Sequence, residues 1–377
     1  MPTSSAMAST IQSVFFFFFF FLSFVVCGNC FTLFSEAASV RVRVPAMYVF
    51  GDSLVDVGNN NFLGFSPAKA NFYPNGIDFP TGKPTGRFCN GKNPADFLAE
   101  KVGLPTAPSY LSIMNNRTKL KNGLNFASGG ATIIPPSNHT LFKLSISFPE
   151  QVASYESVYN NVLAKELGAN EAKTRASKSL FVIEIGSNDI FGYLQSSNLR
   201  QIYSPSRYFH LVSTNFENQL KRLYENGARK LVVIGVGAIG CTPAMRLKNM
   251  TEGCNSEING WAFEYNQQLL SLLKRLKNEL FGFHFSYFDG FSIMLTSIQT
   301  PTSFGFSEVK AACCGFGKLK AEVGCTPRAS FCSNREKHLF WDKYHPTQQA
   351  HHIFSDLIFS GPQTYTFPIN VQTLIAI

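Results

Sequence analysis

Four short apolar runs, at 46–50, 180–185, 230–235 and 283–288, each stop at glycine or a small polar residue. Segments with helical spacing lie between them, at 96–102, 149–167, 206–226 and 259–280. Apolar runs of that length, bounded by turn residues, read as buried strands. Strand and helix alternate without an internal repeat, which predicts a parallel sheet with helices on both faces and right-handed crossovers. The 259–280 helix carries the clearest stripe, Leu269, Leu270, Leu273, Leu276 and Leu280. Pro346 is expected to open a closing helix, where a fixed φ and a missing N–H do no harm. No Pro- or Ser-rich linker interrupts the pattern, so residues 40–377 read as one domain.

The carboxyl ends of parallel strands open onto a cleft. The first apolar run leads straight into Gly51-Asp52-Ser53-Leu54, so Ser53 is placed to act as a nucleophile. A serine hydroxyl needs a base to take its proton, and the base needs a third group to orient it. Asp342-Lys343-Tyr344-His345 supplies the right types. An aspartate three residues before a histidine can accept one ring N–H and leave the other nitrogen for Ser53. Most such pairs are solvated or structural; the weight here comes from their company. Gly129-Gly130 forms a glycine turn, and the second strand ends in Gly186-Ser187-Asn188-Asp189. Both offer N–H donors for an oxyanion, although two glycines also make an ordinary tight turn.

Near the N-terminus, 15–26 is almost unbroken apolar sequence and Ala37-Ala38-Ser39 offers small residues for cleavage. Residues 1–39 therefore read as a signal peptide and the protein as secreted; the alternative is an uncleaved anchor. Secretion gives meaning to the glycan acceptor triplets at Asn116, Asn138 and Asn249. It also favours disulfides. Of nine cysteines, Cys27 and Cys30 fall in the leader, so the remaining odd number leaves at least one thiol unpaired or shared with another chain. Proximity alone suggests Cys241 with Cys254 and Cys325 with Cys332. The formal charge of +9 suits an anionic surrounding such as acidic wall polysaccharide or a membrane surface, and equally serves solubility. Scattered charge and secretion argue against nucleic acid as a partner.

These blocks together resemble the plant-type GDSL esterase/lipases of the SGNH hydrolase superfamily. Phe50-Gly51-Asp52-Ser53-Leu54 with Asn59-Asn60-Asn61 is similar to the first block, 125–131 to the second, Gly186-Ser187-Asn188-Asp189 to the third and 342–345 to the fifth. The resemblance covers nearly the whole chain beyond the leader, in the same order. It implies a three-layer α/β/α sandwich with a central parallel sheet, flavodoxin-like in topology. It implies Ser53 as nucleophile and first oxyanion N–H, Gly130 and Asn188 as further donors, His345 as base and Asp342 as its orienter. Thr132 departs from the family pattern, where glycine is usual, and leaves Gly129 or a neighbour as an alternative donor. The implied activity is hydrolysis of carboxylic esters (lipid, polyester or acetylated polysaccharide) through an acyl-enzyme, with no metal or organic cofactor. An acyltransferase using the same residues is one alternative, and a non-catalytic binder of wall polysaccharide or membrane is another.

Gly235-Val236-Gly237-Ala238-Ile239-Gly240 follows a strand and fits a dinucleotide fingerprint. That motif requires a helix directly after the third glycine to hold the pyrophosphate, and Cys241-Thr242-Pro243 stands there instead. No Gly-x-Ser-x-Gly elbow occurs, which argues against the ordinary α/β-hydrolase arrangement.

Overall fold

The computed structural model describes residues 44–113, 121–135 and 145–377. The leader and the acceptor triplets at Asn116 and Asn138 lie outside the described residues. Strands β1 (Met47–Gly51), β2 (Leu180–Glu184), β3 (Lys230–Ile234) and β4 (His284–Phe288) pair in parallel in that spatial order. Thr366–Phe367 closes the far edge antiparallel to β4. Beyond β1, segment 124–128 runs parallel to it, through Val49 N–H to Leu124 O at 2.9 Å and Phe126 N–H to Val49 O at 2.7 Å. The next segment in sequence therefore lies on one side of β1 and β2 on the other. The carboxyl end of β1 is a topological switch point, the place where such sheets open a crevice.

Every residue of β1 and β2 is buried, as expected of strands covered on both faces. Tyr48, Phe50, Phe181, Ile183, Leu231 and Val233 face the helices Phe148–Val158, Pro205–Glu225 and Ser256–Glu279. Met47, Val49, Leu180, Val182, Val232 and Ile234 face Pro94–Lys101, Gln348–Ser360 and Val371–Ala376. The result is the expected three-layer α/β/α sandwich.

Local structure departs from the sequence reading in several places. The 149–167 region is not one helix: Phe148–Val158 passes through a π turn at Tyr159–Leu163 into Ala164–Leu167, and Gly168 ends it at φ 83°. A further helix, Ala169–Lys178, follows; only its Ala172 and Ala176 are buried, so it carries no apolar stripe to read. On Ser256–Glu279 the buried leucines are 269, 272, 273 and 276. Leu270 stands at the margin of that face and Leu280 is the extended residue that caps the helix, so both are only partly buried. The closing helix begins after Thr347, whose hydroxyl accepts Ala350 N–H at 3.2 Å. Threonine is a strong N-cap, and Pro346 stays outside the helix in a bridge to Phe340.

The cysteine pairing departs as well. Cys241–Cys254 forms as expected, but Cys325 bonds Cys314 and Cys332 bonds Cys313. Strand register decides this: Cys314–Gly315 pairs antiparallel with Ser330–Phe331, which sets Cys332 opposite Cys313 and turns Cys314 toward Cys325. Cys89 is the free thiol among the described cysteines, and burial pushes it up to about 12.

Candidate active site

Gly51 ends β1 at φ 147°, and a Cβ there would sit 2.1 Å from Glu184 O. Only glycine fits this bend. Buried Gln151 clamps it from the adjacent helix, accepting Gly51 N–H and donating to Gly51 O, both at 2.8 Å. The next residue continues the contact with β2, Asp52 N–H donating to Glu184 O at 3.1 Å. Ser53 is thereby held at the switch point. The asparagine tract fastens the glycine turn to this loop. Asn59 Nδ2 donates to Asn125 O and Ala127 O at 2.9 and 2.8 Å, and Asn60 Nδ2 to Gly129 O at 2.8 Å. Asp56 accepts N–H groups from Gly58, Asn59 and Gly129.

His345 arrives on a braced loop. Strand His338–Phe340 pairs with Glu308–Ala312, and the backbone of the disulfide hairpin continues the brace. Cys313 and Cys314 N–H donate to Phe340 O and Trp341 O at 3.0 and 2.6 Å. Trp341 N–H donates to His345 O at 2.8 Å, closing the loop on itself. Inside it, Asp342 Oδ1 accepts Tyr344 N–H at 2.8 Å and His345 N–H at 2.9 Å. His345 Nδ1 lies 2.9 and 2.8 Å from the two Asp342 oxygens. On its other side Nε2 lies 2.8 Å from Ser53 Oγ, joining residues 292 positions apart. Burial alone would push the imidazole pKa down. The Asp342 charge and hydrogen bond, with the Asp52 charge behind them, outweigh burial and raise it. Asp342 is shifted the opposite way: burial would raise it, but His345 and two backbone N–H groups hold it below the usual carboxylate range.

Ser53, Gly130, Asn188, Asp342 and His345 line one cleft of about 400 Å³, with Leu54, Phe88 and Phe191 among its apolar walls. The N–H groups of Ser53 and Gly130 have no partner among the described residues, whereas Gly129 N–H is committed to Asp56 Oδ2 at 3.1 Å. Asn188 Nδ2 donates to Ala131 O at 3.0 Å and to Asp52 Oδ2 at 3.3 Å. The site thus combines a hydroxyl, an oriented imidazole and uncommitted N–H donors, which together can support nucleophilic attack on a carbonyl.

Sequence reasoning missed Gln151 and Glu184. A carboxylate inside the apolar run 180–185 is the one signal that pointed to Glu184; Gln151 gave none. The glycine fingerprint at 235–240 leads into a three-residue turn, Ile239–Cys241, and a five-residue helix, Pro243–Leu247, rather than a long helix. Asn249 lies in a partly exposed turn, where its Oδ1 accepts both Thr251 N–H and Thr251 Oγ1–H.

Residues 47–358 match the sequence profile of the GDSL-like Lipase/Acylhydrolase family. A GDSL esterase/lipase of Arabidopsis thaliana is 45% identical over 351 residues, spanning 90% of this chain and 93% of its own length. Two further GDSL esterase/lipases of that plant are 38% and 35% identical over 349 and 336 residues, covering 90% and 89% of this chain and 94% and 86% of their own. By sequence, the chain belongs to the GDSL lipase/acylhydrolase family and is a carboxylic ester hydrolase.

Proposed function

We propose that the protein is a secreted serine esterase/lipase working through an acyl-enzyme on Ser53. The contact between Ser53 Oγ and His345 Nε2 at 2.8 Å, with Asp342 on the opposite ring nitrogen, carries the reading. Ser53 Oγ attacks the ester carbonyl while its proton passes to His345 Nε2, and Asp342 stabilises the imidazolium. The carbonyl oxygen becomes an oxyanion facing the N–H groups of Ser53 and Gly130 and the Asn188 amide. Collapse releases the alcohol, which takes the proton from His345. Water repeats the sequence and frees the acid. Gly130 is preferred to Gly129 as donor because the Gly129 amide already serves Asp56. Apolar walls beside Ser53 suit an acyl chain. The basic surface suits anionic wall polysaccharide as the setting, and the leader at 1–39 gives the route there.

Expression of the full chain in a secretory host tests both parts. The medium should contain a protein beginning near Val40 that a fluorophosphonate labels, and Ser53→Ala should remove the label. Folded protein that never labels would leave the hydrolase mechanism without support, and protein retained with residues 1–39 attached would count against secretion.

Asn188→Ala should lower kcat about 10²- to 10³-fold with KM little changed, because the oxyanion exists only in the transition state. A rise in KM alone would remove Asn188 from that role.

A further inference from the structure

Two buried carboxyl groups interact beside the cleft, with no salt bridge to either among the described residues. Asp52 is 1% exposed and Glu184 3%. Glu184 is the register partner of Gly51 on the neighbouring strand, and past the bend at Gly51 the Asp52 N–H donates to Glu184 O at 3.1 Å, so the two residues are neighbours. Two buried carboxyl groups that interact this directly cannot both stay ionised, so one carries a proton for the other to accept. The surrounding donors decide which. Asp52 Oδ1 accepts Leu54 N–H at 3.1 Å and Oδ2 accepts the Asn188 amide at 3.3 Å. The Glu184 carboxyl accepts no N–H group among the described residues, and its Oε2 is buried. The ionised form belongs where the N–H groups are, at Asp52, and the proton belongs on Glu184. The other titratable groups facing the pair are Asp189, Tyr265 and His345, none of which offers Glu184 a compensating charge. Burial and the Asp52 charge both push Glu184 well above the carboxylate range.

We propose that Glu184 is a positioning residue: its O–H donates to Asp52, and Asp52 in turn holds the Asn188 amide at the oxyanion site. Asn188 has two N–H groups. One is fixed on Ala131 O, and the other rests on Asp52 at a longer distance that an oxyanion can take over. Sharing the Glu184 proton draws negative charge away from the edge of Asp52 that faces the cleft. Without it, Asp52 takes a proton itself or turns toward another donor, and in either case loosens Asn188. This inference rests on the acyl-enzyme reading above.

A double-mutant cycle tests it, with kcat and KM on p-nitrophenyl butyrate and thermal unfolding to verify the fold. E184A should lose about tenfold or more in kcat with KM within about threefold, as expected for an interaction felt in the transition state. E184Q should restore most of that loss, since a glutamine amide also donates to Asp52. E184A placed on N188A should slow it by no more than about twofold, because the two changes disable one device. E184M, of similar volume, replaces E184A in the cycle if the alanine variant does not fold. Wild-type kcat in E184A, a folded E184Q as slow as E184A, or a loss that multiplies fully onto N188A would each overturn the proposal. Near-wild-type turnover by Ser53→Ala would overturn the underlying reading instead.

Discussion

Ser53→Ala should lower kcat on a short-chain p-nitrophenyl ester by roughly five to six orders of magnitude. The substitution removes only Oγ, the atom that lies 2.8 Å from His345 Nε2. The backbone N–H of residue 53, the Gly130 N–H and the Asn188 amide all remain, so the oxyanion site and the cleft persist. KM should therefore change by less than about threefold, and residual turnover over the uncatalysed reaction should be about 10³- to 10⁴-fold. His345→Ala should fall to nearly the same level, and the double variant should be no slower than either. Serine, imidazole and carboxylate act as one unit, so deleting a second member after the first has little left to remove. Steady-state rates on the three purified variants, with active-site titration of the wild type, decide the matter. A Ser53→Ala enzyme retaining more than a few per cent of wild-type kcat would mean that the attacking group lies elsewhere.

The parts that sequence made legible are those in which residue type and local order suffice. β1 to β4 are short apolar runs ended by turn residues, and burial on both faces leaves such segments no other stable use. The glycine at 51, the serine after Asp52 and the Asp-x-x-His pair are each visible within six positions of chain. Their meeting is not. It depends on the order of strands in the sheet and on a loop whose course is set by the backbone of Cys313 and Cys314. The cysteine pairing was misread for a related reason: Cys325 and Cys332 are close in sequence, but an antiparallel register places other partners opposite them. Helix Ala169–Lys178 escaped notice because it packs on two alanines and shows mostly polar residues. Glu184 is the instructive case. A carboxyl in a buried strand conflicts with its neighbours at the level of pattern, and such conflicts tend to mark functional positions.

Asp342→Asn should produce the second large effect, a fall in kcat of about 10⁴-fold, and should also move the pH profile. Asparagine can keep its carbonyl oxygen on the N–H groups of Tyr344 and His345, which Asp342 Oδ1 now serves at 2.8 and 2.9 Å. The loop therefore stays folded. At the other oxygen an NH₂ replaces an acceptor 2.8 Å from His345 Nδ1. The Nδ1 proton then faces an NH₂ and keeps only Oδ1 at 2.9 Å, an oxygen already shared by two backbone N–H groups, so the ring is driven toward the tautomer with its proton on Nε2, which cannot accept the Ser53 proton. The pH dependence has a definite sign. Attack needs neutral imidazole, so activity rises with pH through the His345 pKa. Burial pulls that pKa down while Asp342, and behind it Asp52, pull it up, and the net shift is upward. The acid limb of kcat/KM in the wild type should accordingly lie above the ordinary histidine value of about 6.5. In Asp342→Asn the burial remains and the largest opposing charge is gone, so the limb should move to lower pH even as the plateau collapses. A kcat/KM profile from pH 4 to 9 on both proteins reads this directly. An unmoved limb would mean that the titrating group is not the imidazole paired with Asp342. A plateau lowered less than about tenfold would mean that the orientation of His345 is fixed by the loop backbone rather than by the carboxylate.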